Sequence, residues 1–327
     1  MKLLIFLIAE SMCFMVNNDF NIYQVLKCRI FILGNSIEGE SIVFILYGDN
    51  KVLYSCVVDS FKYQNELAIV RALKNEIDEN ISDLFWTHPH DDHAKGIIDI
   101  IKQFKPKNIY VPENLINLSE KNAKESNDVL NFINSYEKLD RRRKQYCPFI
   151  RSVSVNKIVR NAAYFMVDKK VRFSIMALAP SNCVTRRKYI KGDFNSLNDY
   201  SIAMVINVGD FSFLLTGDIQ NKMIHCIAEE LTYDISCPNI LKIPHHGSCD
   251  SLDIMSLFDD DIDISITTSK KSSSLPKEDA IMFYKSHSKH VFKINDESDD
   301  LAIWGVEVDI SNATMKQICD VNYNEVL

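Results

Sequence analysis

Several things are missing from this 327-residue chain, and each absence removes a class of function. Nine cysteines (13, 28, 56, 147, 183, 226, 237, 249 and 319) form no CxxC pair and follow no regular spacing. That excludes a paired zinc–cysteine site and a disulfide framework, and it fits reduced thiols in a cytoplasmic protein. Excess positive charge is missing too. A formal net charge of −7 argues against a generic basic coat for nucleic acid, although an enzyme can still hold phosphate with metals and local basic patches. No stretch approaches the roughly 20 apolar residues that span a bilayer, so no membrane association is expected. The N-terminal "MKLLIFLIAESMCFMV" is interrupted by Glu10 and lacks a clear small-residue cleavage site. It reads as a first strand or an N-terminal extension over 1–27 rather than a signal peptide. No internal repeat is visible. What remains, 46% hydrophobic and 25% charged residues, is the composition of an ordinary globular protein.

Histidine is scarce, eight in all, yet "FWTHPHDDHAKG" (85–96) holds three within six residues, His88 to His93. Pro89 disfavours a helix interior there, so the stretch reads as a strand end, a loop and then a helix. On a strand end His88 and His90 point the same way. Imidazoles and a carboxylate converging on one point suit a borderline-soft divalent cation such as zinc.

Around this cluster the pattern is layered α/β. "CRIFILGNSIEGESIVFILYGDNKVLYSCVVDSF" (28–61) predicts three strands, with turns at Gly34-Asn35 and Gly48-Asp49-Asn50. A helix follows over 65–80, then a buried strand in "ISDLFWTH", a helix ending before Pro106, and a strand in "KNIYVPE". Residues 113–165 are polar and read as a helical insertion on which a protein partner could dock; they include the basic "DRRRKQY" (140–146). The α/β rhythm returns with "VRFSIMALAPS", a basic loop "TRRKYIKGD", and a hairpin turning at Gly209-Asp210. A helix over 220–232 then leads to an apolar strand ending in "PHHGS". The expected fold is a sheet sandwich flanked by helices, over 28–310, with 311–327 as a tail. His225, His287 and His290 fall on predicted helices outside any cluster.

Three polar clusters thus end apolar strands: "HPHDDH" (88–93), "LLTGD" (214–218) and "PHHGS" (244–248). The set resembles the metallo-β-lactamase superfamily, with its H-x-H-x-D-H signature. "LLTGD", "KIPHHGS", the opening "GNSIEGESIVF…VVDS" and "LNDYSIAMVI" are similar to one branch of it, the nuclease-like domain of ComEC-type DNA-uptake proteins. The resemblance implies a four-layer αββα sandwich and a metal-dependent hydrolase. It implies two divalent ions, Zn2+ or Mn2+: His88 and His90 on one, Asp92, His93 and His246 on the other, and Asp218 bridging both. A hydroxide between the metals would be the nucleophile, since metal binding brings the pKa of water to about 7. Asp92, Asp218 and His245 are the candidate catalytic residues; the resemblance favours His246 as the ligand of the pair, with His245 either supporting the ligands from behind or facing substrate. Asp59, at a strand end, reads either as the partner of a ligand imidazole or as a turn cap.

There is no histidine from 94 to 217, where many members place one; Asn198 matches the asparagine of the ComEC-type branch instead. Water or substrate would then complete the first metal, and the metal's identity stays open. The expected reaction is phosphodiester cleavage, with nucleic acid as substrate and Asn198, Lys242 and Ser248 as candidate substrate contacts. A free-standing domain of this type fits an effector or subunit of a defence system. The alternatives are a small-molecule ester or cyclic-nucleotide hydrolase, and a non-catalytic subunit whose metals only staple it together.

Overall fold

The computed structural model describes residues 21–73, 81–115, 124–137, 146–193, 195–232, 234–294, 299–321 and 323–325. The chain opens with β1 (Ile22–Tyr23), β2 (Leu26–Asn35), β3 (Gly39–Gly48), β4 (Lys51–Val58) and a short hairpin, β5 (Lys62–Tyr63) and β6 (Glu66–Leu67). Next come α1 (Ala68–Leu73), β7 (Asp83–Phe85), α2 (Asp91–Ala94), α3 (Ile97–Phe104), β8 (Asn108–Pro112), α4 (Lys124–Glu137) and β9 (Phe149–Val153). The second half begins with β10 (Ile158–Met166), β11 (Lys170–Ala177), α5 (Asn182–Lys191), β12 (Met204–Val208), β13 (Phe211–Leu215) and α6 (Asn221–Glu230). It closes with β14 (Ile240–Lys242), β15 (Ile262–Thr268), α7 (Glu278–Lys285), β16 (Ser288–Ile294), β17 (Ala302–Asp309), β18 (Thr314–Val321) and β19 (Tyr323–Glu325).

Two mixed sheets result, ordered β18-β17-β2-β3-β4-β7-β8-β9 and β1-β10-β11-β12-β13-β14-β15-β16-β19. Their sequences explain the layering. Along β3, Ile42, Phe44 and Leu46 face the other sheet, while Val43, Ile45 and Tyr47 face helices. Along β12 and β13, Met204, Ile206, Phe213 and Leu215 point between the sheets, and Val205 and Leu214 point outward. Both faces of each strand are buried, so these strands read as continuous apolar runs rather than as alternation. Ile69, Ile97, Ile101 and Ile133 of α1, α3 and α4 cover the first sheet, and Met223, Ile227, Ile281 and Tyr284 of α6 and α7 cover the second. This is the expected αββα sandwich.

Several local expectations are corrected. Gly34 and Asn35 are not a turn: they pair with Glu40 and Gly39 in the β2–β3 ladder, and Ser36–Glu38 make the connection. The 113–165 stretch is not a wholly helical insertion. It holds α4, but β9 then pairs with β8 and β10 with β11, so both sheets draw strands from it. Of the basic run 140–146, residues 140–145 lie outside the described residues, as do 1–20 and 74–80. "TRRKYIKGD" is helix, not loop: the Ser181 hydroxyl caps the start of α5 by accepting from the Val184 N–H (3.3 Å), and Gly192 (φ 63°) ends it left-handed. His290 lies in β16, not on a helix. The 311–327 tail contributes β18 and β19, paired with β17 and β16.

Strands β4, β7, β8 and β9 run parallel, as do β13, β14, β15 and β16. The carboxyl ends of β4 and β7 in one sheet and of β13, β14 and β15 in the other deliver Asp59, His88, Asp218, His246 and Lys270. Crevices outside carboxyl strand ends are where open α/β sheets bind ligands.

Candidate metal centre

After β7 the chain turns through Thr87 and His88 into α2. His88 is fully buried; its Nδ1 lies 3.0 Å from the Thr87 hydroxyl, so its Nε2 faces Asp218 Oδ2 at 3.5 Å. His90 Nδ1 meets that same Nε2 at 2.9 Å. His93, on the single turn of α2, donates from Nδ1 to Asp59 Oδ2 at 2.7 Å. Its Nε2 is thereby directed to Asp92 Oδ2 and Asp218 Oδ2, each 3.6 Å away. Asp59 also accepts from the Thr87 N–H (2.7 Å) and hydroxyl (2.5 Å). The imidazole-partner reading of Asp59 is therefore the one the geometry supports, at a left-handed residue (φ 55°).

Asp218 follows Gly217, whose φ of 52° and close approach exclude a side chain: a Cβ there would lie 2.5 Å from Ser201 Oγ. The Asp218 N–H donates to that hydroxyl at 2.8 Å. At the end of β14, His245 (φ 47°) and His246 (φ 51°) are both left-handed, an uncommon state for side chains of this size. The result separates the two imidazoles. His246 Nε2 faces Asp92 Oδ2 at 3.4 Å and Asp218 Oδ2 at 3.7 Å, whereas His245 Nε2 lies 3.3 Å from Asn198 Nδ2.

A buried network unforeseen from sequence holds His246 in place. Its Nδ1 lies 2.9 Å from the Thr268 hydroxyl, which donates to Glu40, and the Lys242 Nζ is 2.9 Å from the same carboxylate. Lys242 is fully buried, so its expected role as a phosphate contact is corrected: the ammonium balances Glu40. The Ser248 hydroxyl accepts from the Asp250 N–H (3.3 Å) and caps the following 3₁₀ turn, which leaves its O–H as the group available to substrate. Asn198 does stand at the site, beside His245. Also missed were Gly39 and Lys270. At Gly39 (φ 143°) a Cβ would lie 2.0 Å from the Asp92 carbonyl oxygen, so only glycine lets β3 pass this close. Lys270 Nζ lies 2.6 Å from Asp92 Oδ2. The signals existed: Glu40 and Lys242 are charges inside otherwise apolar strands, and Lys270 follows a strand end as the other clusters do.

The electrostatics mirror this convergence. Burial alone would raise Asp218 and Asp92, yet His246, His93 and His88 hold Asp218 well below the carboxylate range, and His93, His246 and Lys270 do so for Asp92. Burial would lower His93, but Asp218, Asp59 and Asp92 push it well above an ordinary imidazole. Burial lowers His88, and it brings His90 down to about 3. Glu40 sits at about 2 because Lys242, His246 and His93 outweigh its burial.

Two triads offer ligand atoms within 4.8 Å of one another, His88–His93–Asp218 and Asp92–His93–His246. Ligand atoms bonded tetrahedrally to one zinc at about 2.0–2.2 Å stand roughly 3.4 Å apart, close to the separations here. Asp218 Oδ1 and Oδ2, His93 Nε2 and His246 Nε2 are buried without hydrogen-bond partners among the described residues. A buried carboxylate with nothing donating to it is costly, and a divalent cation is the partner this donor set fits.

Residues 39–143, which contain the whole first cluster, match the family model of the metallo-beta-lactamase superfamily. The fold is the metallo-β-lactamase fold. No curated protein matches. Among solved structures the chain is similar to Igni18, a metallo hydrolase of the archaeon Ignicoccus hospitalis, at 11% identity and a TM-score of 0.44, covering 85% of this chain and 98% of that one. It is also similar to a metallo-beta-lactamase superfamily protein of Sulfolobus tokodaii, at 15% identity and a TM-score of 0.27, covering 57% and 62%. Neither likeness carries a substrate across to this chain. Among the described residues no helix is long and apolar enough to cross a membrane.

Proposed function

We propose that this metallo-β-lactamase-fold protein is a metal-dependent hydrolase of phosphodiesters, acting most readily on single-stranded nucleic acid. The observation that carries the metal-dependent part is Asp218, fully buried amid three imidazoles, with both carboxylate oxygens unpartnered among the described residues. His88, His90 and Asp218 would hold one divalent ion, and Asp92, His93, His246 and Asp218 the second. Zinc or manganese bound there supplies Lewis acidity and water activation near neutral pH. Asp59 and the Thr268–Glu40 pair fix the tautomers of His93 and His246, keeping Nε2 free to bind metal. His245, lowered by burial, is neutral at pH 7; Asn198 Nδ2 at its Nε2 leaves the proton on Nδ1, which has no partner among the described residues and can donate a hydrogen bond to substrate.

Basic residues beside the site support the phosphodiester reading. Lys270 borders Asp92, and α5 exposes Arg186, Arg187 and Lys191. That helix is tied to the Asn198 loop by the buried Lys188, whose Nζ is 3.1 Å from Asp199, so Lys188 anchors the loop rather than meeting phosphate. Such residues give salt-dependent affinity without sequence preference, and a flexible single strand bends its phosphate to an edge site more easily than a duplex. The test is a panel of single- and double-stranded DNA and RNA, bis-phosphodiester reporters, a thioester and a β-lactam, each with zinc or manganese. Metal-dependent cleavage of single strands is expected. Turnover of the thioester or lactam alone would replace this reading with a small-molecule hydrolase.

A further inference from the structure

Beside the paired ligands a pocket opens between the β2–β3 connection and the segment after β15, lined by Ser36, Asp92, Lys95, His246, Ser269 and Lys270. Its walls are fixed. The Lys271 N–H donates to the Ser36 carbonyl (2.8 Å) and the Ser269 N–H to that of Ile294 (3.1 Å), while Lys270 and Leu275 exchange backbone bonds. The Asn35 carboxamide holds its own turn by accepting from the Ile37 and Glu38 N–H groups (3.1 and 2.9 Å). Most polar groups around the pocket are engaged: Lys95 with Glu38 (2.8 Å), Ser36 with Asp299 (3.2 Å) and Asp91 with Ser126 (3.4 Å). Two stand apart. The Ser269 hydroxyl is buried with no hydrogen-bond partner among the described residues, in a residue that lines the pocket. Lys270 reaches in with 19% of its side chain exposed, and its partner is Asp92 Oδ2, the oxygen that also faces His93 and His246.

We propose that Lys270 and Ser269 form an oxyanion subsite that receives a tetrahedral phosphate group next to the metal positions. Asp92 Oδ2 cannot serve both a divalent cation and an ammonium at full strength. A metal drawing on that oxygen therefore leaves the Lys270 charge in want of an anion, in a pocket where a serine hydroxyl already lacks an acceptor. Lys95 stays paired with Glu38 and Asp91 with Ser126, so Lys270 is the cation that would turn to an entering anion. An ammonium and a hydroxyl on a rigid wall suit the separated oxygens of a phosphate better than a planar or apolar group. The assignment of this anion to the substrate rests on the hydrolase reading; the subsite itself does not.

The experiment measures binding, so it needs no turnover. Wild type, Lys270→Ala, Lys270→Arg and Ser269→Ala, each reconstituted with manganese, are titrated calorimetrically with inorganic phosphate, with a dinucleotide carrying one internal diester, and with its 5′-phosphorylated form. Metal content is measured on the same samples. Lys270→Ala should weaken inorganic phosphate about tenfold or more and Ser269→Ala a few-fold, with Lys270→Arg between wild type and alanine and metal equivalents unchanged. Lys270-dependent binding of the plain dinucleotide would assign the subsite to an internal diester; dependence confined to the 5′-phosphorylated form or to inorganic phosphate would assign it to a terminal or free phosphate. Equal phosphate affinity in wild type and Lys270→Ala overturns the proposal, and so does a weakening that merely follows loss of metal. If the affinity difference stands while no phosphodiester is cleaved, the hydrolase reading fails and the subsite survives.

Discussion

Two fully buried aspartates sit at opposite ends of this sandwich, and their surroundings differ completely. Asp83, at the start of β7, accepts from Tyr54 (2.8 Å), from Asn108 (2.7 Å) and twice from Arg160 (2.8 Å each). Arg160 comes from the other sheet and lies over the Tyr54 ring, so the carboxylate pins the two sheets together. Asp218, after β13, has neither oxygen hydrogen-bonded among the described residues, and imidazole nitrogens face it at 3.5–3.7 Å. One charge is matched by the chain itself. The other is surrounded by imidazoles 3.5–3.7 Å away that could coordinate a cation, an arrangement unlike that of a structural ion pair.

The comparison breaks most sharply by removing each charge in turn. Asp83→Ala leaves the buried Tyr54 and Asn108 donors and the half-exposed Arg160 without their acceptor and should cost about 3 kcal/mol of global stability, read by urea unfolding, while metal affinity of the folded fraction is unchanged. Asp218→Asn should do the reverse: a loss of about 100-fold or more in metal affinity by competition with a chelating dye, and a smaller stability change in metal-free protein than Asp83→Ala. Equal behaviour of the two variants would erase the distinction. On the open side, Asp92→Ala and His246→Ala should each lose one metal equivalent and hydrolysis while keeping the fold, whereas His245→Ala keeps both metals and loses turnover. Retention of metal by His246→Ala with loss in His245→Ala would exchange their roles. Gly39→Ala should cost about 2 kcal/mol and weaken metal binding, because the new Cβ displaces the Asp92 backbone; an unchanged melting curve contradicts this.

The smallest expected effect is protonic. His93 is raised above its unfolded value, so its stabilising charge is fully present below about pH 6.5 and is lost as pH rises through the folded value. Asp92 and Asp218 are lowered, so their contribution is present above about pH 3.8 and is lost as pH falls through their folded values. Metal-free protein should therefore be most stable between these limits. Loading metal at pH 7 should release about one proton, from His93. Calorimetry in buffers of different ionisation enthalpy measures that release, and a buffer-independent heat would show that His93 is neutral before metal arrives.

Much of the fold was readable because apolar runs mark strands buried on both faces, as in "SIVFIL" and "SIAMVI", and because polar clusters ended those runs. The misreadings came where short-range pattern is ambiguous. Residues 149–166 are polar because β9 is an edge strand and β10 is largely exposed, which looks like inserted helix in one dimension. "TRRKYIK" resembles a loop until Ser181 and Gly192 are recognised as its caps.

The sequence by itself determined that three clusters of side chains able to bind metal would end strands of a layered α/β protein, since strand periodicity and donor chemistry are local properties. Tertiary structure decided which atoms meet. Consecutive left-handed residues send His246 to Asp92 and His245 to Asn198. Glu40 supports His246 through Thr268, 228 positions away, and takes Lys242 out of contention for substrate. Lys270 reaches Asp92 only because β7 and β15 of different sheets end at one edge. Such pairings depend on how two sheets stack and on which groups must be satisfied once water is excluded, and no spacing along the chain encodes them.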